Sequence, residues 1–149
     1  MSKLQIRALD VHDLLQLDAA IDLVENAFAD PERYSRERIV WELLAENTAF
    51  YRQFFIAAKG RQIVGVAGVK AADWALKTHL LYLSAVAPEM RGKGIGRALL
   101  DARLEWIKRK FDAGRILVST ARAKRFRECR FSEMPEGEIE GRHLMLCRF

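Results

Sequence analysis

Cysteine, histidine and long apolar runs are all scarce in this chain, and each scarcity removes a class of protein. Two cysteines, Cys129 and Cys147, among 149 residues cannot build a disulfide framework. Together with three scattered histidines, His12, His79 and His143, they do not make a metal-ligand cluster either. Both are expected to be ordinary reduced thiols. No stretch reaches the roughly eighteen consecutive apolar residues of a membrane span, and the charged N-terminal segment lacks a signal-peptide pattern. These absences point to a soluble, cytoplasmic protein with no membrane partner. Repeats, low-complexity tracts and linkers are missing too. The chain, half of it hydrophobic, is therefore expected to fold as one domain, residues 1–149, with its own core.

What is present is unevenly charged. The net charge of +5 conceals thirteen Lys and Arg against four Asp and Glu between Arg91 and Arg130, which leaves the rest of the chain acidic. Such a bias favours an anionic partner near that segment, a phosphorylated small molecule or a nucleic acid, with a merely solvated charged face as the alternative.

Periodicity supplies the elements. "LQIRAL" alternates as a strand, and Leu14, Leu17, Ile21, Val24 and Phe28 recur at helical spacing. Pro31 interrupts, Ser35 is placed to cap a second helix, and Ile39, Val40, Leu43 and Leu44 carry that helix to about Asn47. "FFIAA", the turn "KGR" and "QIVGVAGV" read as a hairpin, and "HLLYLSAV" as a strand buried on both faces. A third helix follows with Leu100, Leu104, Ile107 and Phe111, ending near Gly114. "RILVST", a short basic helix through Ala123 and Phe126, and "RHLMLCRF" complete the pattern. The order predicted is β-α-α-β-β-β-α-β-α-β-β, a mixed α/β sheet flanked by helices.

Between the apolar strand and the third helix lies "APEMRGKGIGRALL", with glycines at 92, 94 and 96. Glycine lets the backbone turn tightly and approach a ligand closely. Successive N–H groups then converge on an anion where the helix dipole also favours negative charge. Arg91, Lys93 and Arg97 add formal charge, so a diphosphate suits the place. Two nucleotide motifs fail here. No Gly-Lys is followed by Ser or Thr, as a P-loop demands, and the third glycine of G-x-G-x-x-G is replaced by Arg97.

The pattern that does fit is R-x-x-G-x-G, Arg91-Gly92-Lys93-Gly94-Ile95-Gly96, within V-x-P-x-x-R-G-x-G-I-G-x-x-L-L. It resembles the acetyl-CoA signature of the GNAT N-acetyltransferases, and the order of elements resembles that mostly antiparallel fold from end to end. The resemblance implies that Arg91, Gly92, Lys93, Gly94, Ile95 and Gly96 receive the diphosphate of acetyl-CoA, with Arg97 opening the helix. It implies that the main chain of Ser84 and Val86 pairs with the pantetheine arm. It further implies a cofactor-facing segment at Thr120, Phe126 and Arg127, where the family's pattern is roughly N-x-x-A-x-x-F-Y-x-x-x-G-F. Ala123, Phe126 and Phe131 match its apolar positions. Arg127 stands where the family's tyrosine would protonate the departing thiolate.

Transfer to an amine needs a base. A lysine-like ammonium, with a pKa near 10.4, is only about one part in 2,500 neutral at pH 7, a handicap of about 4–5 kcal/mol. An α-amino group, with a pKa of about 8, is roughly a tenth neutral and needs less help. Where several family members carry a strand glutamate, this sequence aligns Leu80, and "HLLYLSAV" holds no carboxylate. Tyr82 and His79 are its titratable residues and the candidate catalytic groups, with His79 at the strand start expected to meet solvent. Phe28, Asp30, Glu32 and Tyr34 cluster where the first two helices join and would shape the acceptor side. The reading is therefore an acetyl-CoA-dependent N-acetyltransferase acting on a primary amine by direct attack. The alternative is a CoA-binding regulatory module that has lost catalysis. Nucleic acid is disfavoured for want of a stacking-aromatic pattern, and a homodimer through the last strand is left open.

Overall fold

The computed structural model describes residues 3–44 and 49–149. Its elements run β1 (Leu4–Ala8), α1 (Leu14–Phe28), α2 (Arg36–Leu43), β2 (Arg52–Lys59), β3 (Gln62–Ala71), β4 (Thr78–Val86), α3 (Ile95–Lys110), β5 (Arg115–Thr120), α4 (Ala123–Glu128), β6 (Ser132–Ile139) and β7 (Arg142–Arg148). That is the predicted order. Asn47, the expected end of the second helix, lies outside the described residues.

Local chemistry sets the helix ends. The Asp13 carboxylate accepts from the Gln16 N–H and the Ser35 hydroxyl from that of Arg38, each satisfying a first-turn donor that has no intrahelical partner. Of the apolar stripe of α1, Leu17, Ile21 and Val24 are buried while Leu14 is exposed.

All seven strands form one sheet in the order β1-β2-β3-β4-β5-β7-β6. Only β4 and β5 run parallel, and they pair over just three positions, Thr78, His79 and Leu80 against Arg115, Ile116 and Leu117. From Leu81 onward the two strands separate. The cause is visible in the β3–β4 register, where Gly68 faces Tyr82 and Val66 faces Ala85, so Leu83 and Ser84 together oppose one residue. Leu83 has φ +47°. A left-handed leucine costs about 1–2 kcal/mol, and a bulge of this kind bends the strand and adds twist.

Helices cover both faces. One core joins α3 and α4 to the sheet through Leu99, Leu100, Ile107, Ile116, Phe126 and Met145. The other joins α1 and α2 through Ile21, Val24, Ile39, Ile56, Val66 and Leu83. Among the described residues no helix is long and apolar enough to cross a membrane, and Cys129 and Cys147 are both free thiols.

Candidate active site

The gap between β4 and β5 opens toward the start of α3. Gly92 and Gly94 adopt φ +77° and +82°, and a Cβ at either would meet nothing within 4 Å. Their backbone faces open space in a conformation that L side chains resist. The first helical hydrogen bond runs from Ala98 N to Gly94 O at 3.0 Å, so the N–H groups of Ile95, Gly96 and Arg97 have no intrahelical acceptor.

Arginines crowd that end. The Arg125 guanidinium of α4 lies so close over Gly96 that a Cβ there would stand 2.5 Å from its Nη1. Burial, then the charges of Arg122 and Arg97, push the Arg125 guanidinium below its ordinary range. Arg97 is tied to Asp101 at 3.1 Å and to Glu128 at 3.4 Å, while no acidic partner of Arg125 is found among the described residues. Packing guanidinium groups against a helix N-terminus is unfavourable until an anion joins them. The free amides, the glycine backbone and the repelled arginines thus fit a diphosphate.

The other residues expected near that ligand divide. Ser84 is exposed in the bulge and Val86 half-buried beyond it, both on the part of β4 that has left β5. Arg91 and Lys93 are exposed around the turn. Thr120 is buried, and its hydroxyl accepts from Arg122 N at 2.8 Å. Phe126 is buried in the core with its ring edge-on to Phe131 at 5.2 Å, so it positions α4 and offers no open face to a ligand. Arg127 turns toward β6, with its Nη2 3.9 Å from Glu133, and Glu133 is also paired with His143. Two positions along a helix differ by about 200° in direction. Arg125 therefore reaches the glycine turn and Arg127 does not.

On the opposite face, one residue before the bulge, the Tyr82 hydroxyl donates to Glu42 Oε2 at 2.6 Å. Glu42 comes from α2 and is only 4% exposed. Lys70 Nζ lies 3.4 Å from its other oxygen and Arg52 Nη1 3.6 Å from the first. Arg52 is covered by the Trp41 ring at 3.8 Å, and Lys70 lies 4.4 Å from the Tyr82 ring centroid. Burial first, and then the bond to Glu42, raise the Tyr82 hydroxyl far above the ordinary tyrosine range, so it stays protonated. Gly68 opposite makes room, because a Cβ there would stand 2.5 Å from the Phe54 ring and 3.0 Å from Tyr82. A carboxylate thus reaches the strand that lacks one of its own.

His79 does not join this group. It is buried at 3% exposure, not solvent-facing as expected, and belongs to the α3 side with Tyr51, Phe111 and Phe149. Leu80 and Tyr82 alternate to the other face. In the link between α1 and α2, expected to border the acceptor, aromatic and cationic side chains pack together. Phe28 and Tyr34 stack at 4.7 Å, Arg33 and Arg38 lie over the Tyr34 ring, and Asp30 accepts from the Arg33 N–H.

Comparison with known proteins bears on the family and the fold. The model of the acetyltransferase (GNAT) family matches residues 12–133. No curated protein matches the sequence significantly. Among solved structures, the PaiA N-acetyltransferase of Thermoplasma acidophilum in complex with coenzyme A is similar at a TM-score of 0.71 and 18% identity, covering 99% of each chain. An acyl-CoA N-acyltransferase from Pseudomonas aeruginosa aligns at 0.75 and 15% identity, covering 97% of this chain and 99% of its own. ElaA from Escherichia coli aligns at 0.73 and 19% identity, covering 98% of each. At such identities these structures speak for the fold.

Proposed function

The chain belongs to the GNAT acetyltransferase family, and from that premise we propose that it transfers an acetyl group from acetyl-CoA to a primary amine by direct attack. One observation carries the reading: a strand split that ends on the glycine turn has a tyrosine–carboxylate pair one residue before its bulge.

Acetyl-CoA, when bound, supplies the acetyl group as a thioester whose carbonyl carbon the amine attacks and whose sulfur leaves as thiolate. The amides of Ile95, Gly96 and Arg97 and the Arg125 guanidinium hold its diphosphate. Ser84 and Val86 offer main chain along the opened edge of β4. The acceptor lies against Tyr82. The Tyr82 oxygen accepts the proton of the attacking nitrogen while its own proton passes to Glu42, so the carboxylate ends protonated and the tyrosine unchanged. With Arg52 and Lys70 beside one carboxylate, the cluster carries a positive excess, which disfavours a bound ammonium and selects the neutral amine. Weakly basic amines, such as α-amino groups, suit it best.

The test is release of CoA from acetyl-CoA in the presence of a panel of amines, with wild type and Tyr82→Phe compared. Amine-dependent turnover that falls in the variant supports the reading. Acetyl-CoA binding with no turnover on any amine favours the regulatory module instead.

A further inference from the structure

Helices α1 and α2 cover only part of their side of the sheet. Among the described residues, the core they make takes its strand members from β2, β3 and β4 and none from β5, β6 or β7. The other core draws Ile116 and Val118 from β5 and Met145 and Cys147 from β7. Side chains alternate along a strand, so Leu117, Leu144 and Leu146 point the opposite way, and neither core includes them. Leu80 of β4 is also outside both. It faces Leu117 in register, and Leu117 faces Leu146. A row of three half-buried leucines thus crosses three strands, with Leu144, 40% exposed, beside it.

The row is continuous with the proposed site of transfer. Lys70, which borders the Glu42 carboxylate, faces Leu80 from β3. Tyr82 lies two residues further along the same face, and Leu80 with Leu117 is the last pair before β4 and β5 separate. An acceptor whose amine reaches Tyr82 therefore has this row beside its body.

Charge edges the row. Arg115 and Arg148 stand directly opposite in register, one step along the same face from Leu117 and Leu146, and both are exposed. Like charges so placed repel. Arg115 Nε donates to the Thr78 hydroxyl at 2.7 Å, and no carboxylate pairs with either arginine among the described residues. A second copy of this face would add two more arginines to an edge that already repels. An apolar occupant that carries an acid suits it better.

We infer that the acceptor is the α-amino end of a peptide whose leading residues are apolar and are followed by an acidic one, an inference that rests on the transfer proposed above. From Leu80 to Leu146 is two strand spacings, about 10 Å, or about three extended residues at ~3.4 Å each. The leading residues pack on the leucines, and an acidic fourth residue reaches Arg115 and Arg148. The surface is an open sheet face rather than the concave pocket that suits small molecules, and an amine held this far from its acid has the reach of several residues.

Three amidated pentapeptides test it: Ala-Leu-Leu-Asp-Ser, Ala-Ser-Ser-Asp-Ser and Ala-Leu-Leu-Lys-Ser. One readout is CoA release from acetyl-CoA, and the other is the leucine methyl resonances of the full chain loaded with CoA. The first peptide should show a KM at least about tenfold below the second and about threefold below the third. All should share one kcat, because contacts remote from the reacting nitrogen bind substrate and transition state equally. The first should also shift the Leu117 and Leu146 methyls saturably. Leu146→Asn, outside both cores, should raise that KM toward the second peptide's, and Arg148→Glu should erase the preference for Asp over Lys. Equal KM for the three peptides, release without shifts of those methyls, or shifts that follow protein concentration rather than peptide would overturn the inference and leave acetyl transfer standing. Saturable shifts without release keep the peptide surface and overturn transfer. Neither shifts nor release overturns the inference outright.

Discussion

In the proposed transfer Tyr82 and Glu42 act as a unit, and each loss should read differently. Tyr82→Phe removes the hydroxyl but leaves the carboxylate paired to Arg52 and Lys70. Turnover should fall by roughly 10²–10⁴, the usual range for general acid–base help, with acetyl-CoA affinity unchanged, as CoA release and calorimetry would report. Full activity in this variant would remove the relay. Glu42→Gln should lose as much rate and also about 3–5 kcal/mol of stability in a denaturant titration, because two largely buried cations then lack their partner. The pair is forty positions apart in sequence. The periodicity of α2 displays only its apolar stripe, and nothing local says that the side chain between Trp41 and Leu43 points inward to a strand tyrosine.

His79 gives a second test at this scale. Its pKa is lowered by burial, below the 6.5 expected when unfolded. As pH falls through about 6.5 the unfolded chain takes up the proton first, so this contribution to stability is whole above that pH and is lost as pH falls toward the folded pKa. Denaturant midpoints measured between pH 8 and 5 should therefore drop more steeply for wild type than for His79→Phe. Parallel curves would contradict the burial.

At the scale of elements, the split sheet depends on how α3 supports the bulge. Arg103, buried on α3, donates to Leu99 O at 3.2 Å and to Gly68 O at 3.1 Å, and Gly68 is the β3 residue that faces Tyr82. Burial lowers this guanidinium to about 9, so it is charged at neutral pH. Arg103→Ala should cost about 3 kcal/mol in equilibrium unfolding, from two lost bonds and the unsatisfied Gly68 carbonyl. A cost below 1 kcal/mol would mean that α3 does not brace the bulge. The order of strands and helices was legible because apolar spacing and glycine turns state it directly. The bulge was not, since a left-handed leucine inside an apolar strand leaves no mark in composition. The basic stretch announced an arginine for the phosphate end, but which one reaches it depends on the rotation of α4 about its axis. Arg127, singled out from the family's pattern, faces Glu133, and Arg125 faces the turn.

Across the whole molecule, the charge bias read from the sequence has a place. The basic segment from Arg91 to Arg130 spans the glycine turn, α3, β5 and α4, so most of the excess charge sits on that turn and the elements beside it. Acetyl-CoA association should slow by on the order of tenfold between low and physiological salt, as steering is screened, while dissociation changes less. Stopped-flow binding would show it, and a salt-independent rate would deny the steering.

The most direct measurement is calorimetric titration of acetyl-CoA into wild type and Gly94→Glu. That substitution sets a carboxylate where the diphosphate is proposed to lie, at a position with no neighbour to displace. Binding in the wild type that vanishes in a folded variant is the result expected. Equal affinity in both, or none in the wild type, would contradict the placement of the cofactor on the glycine turn.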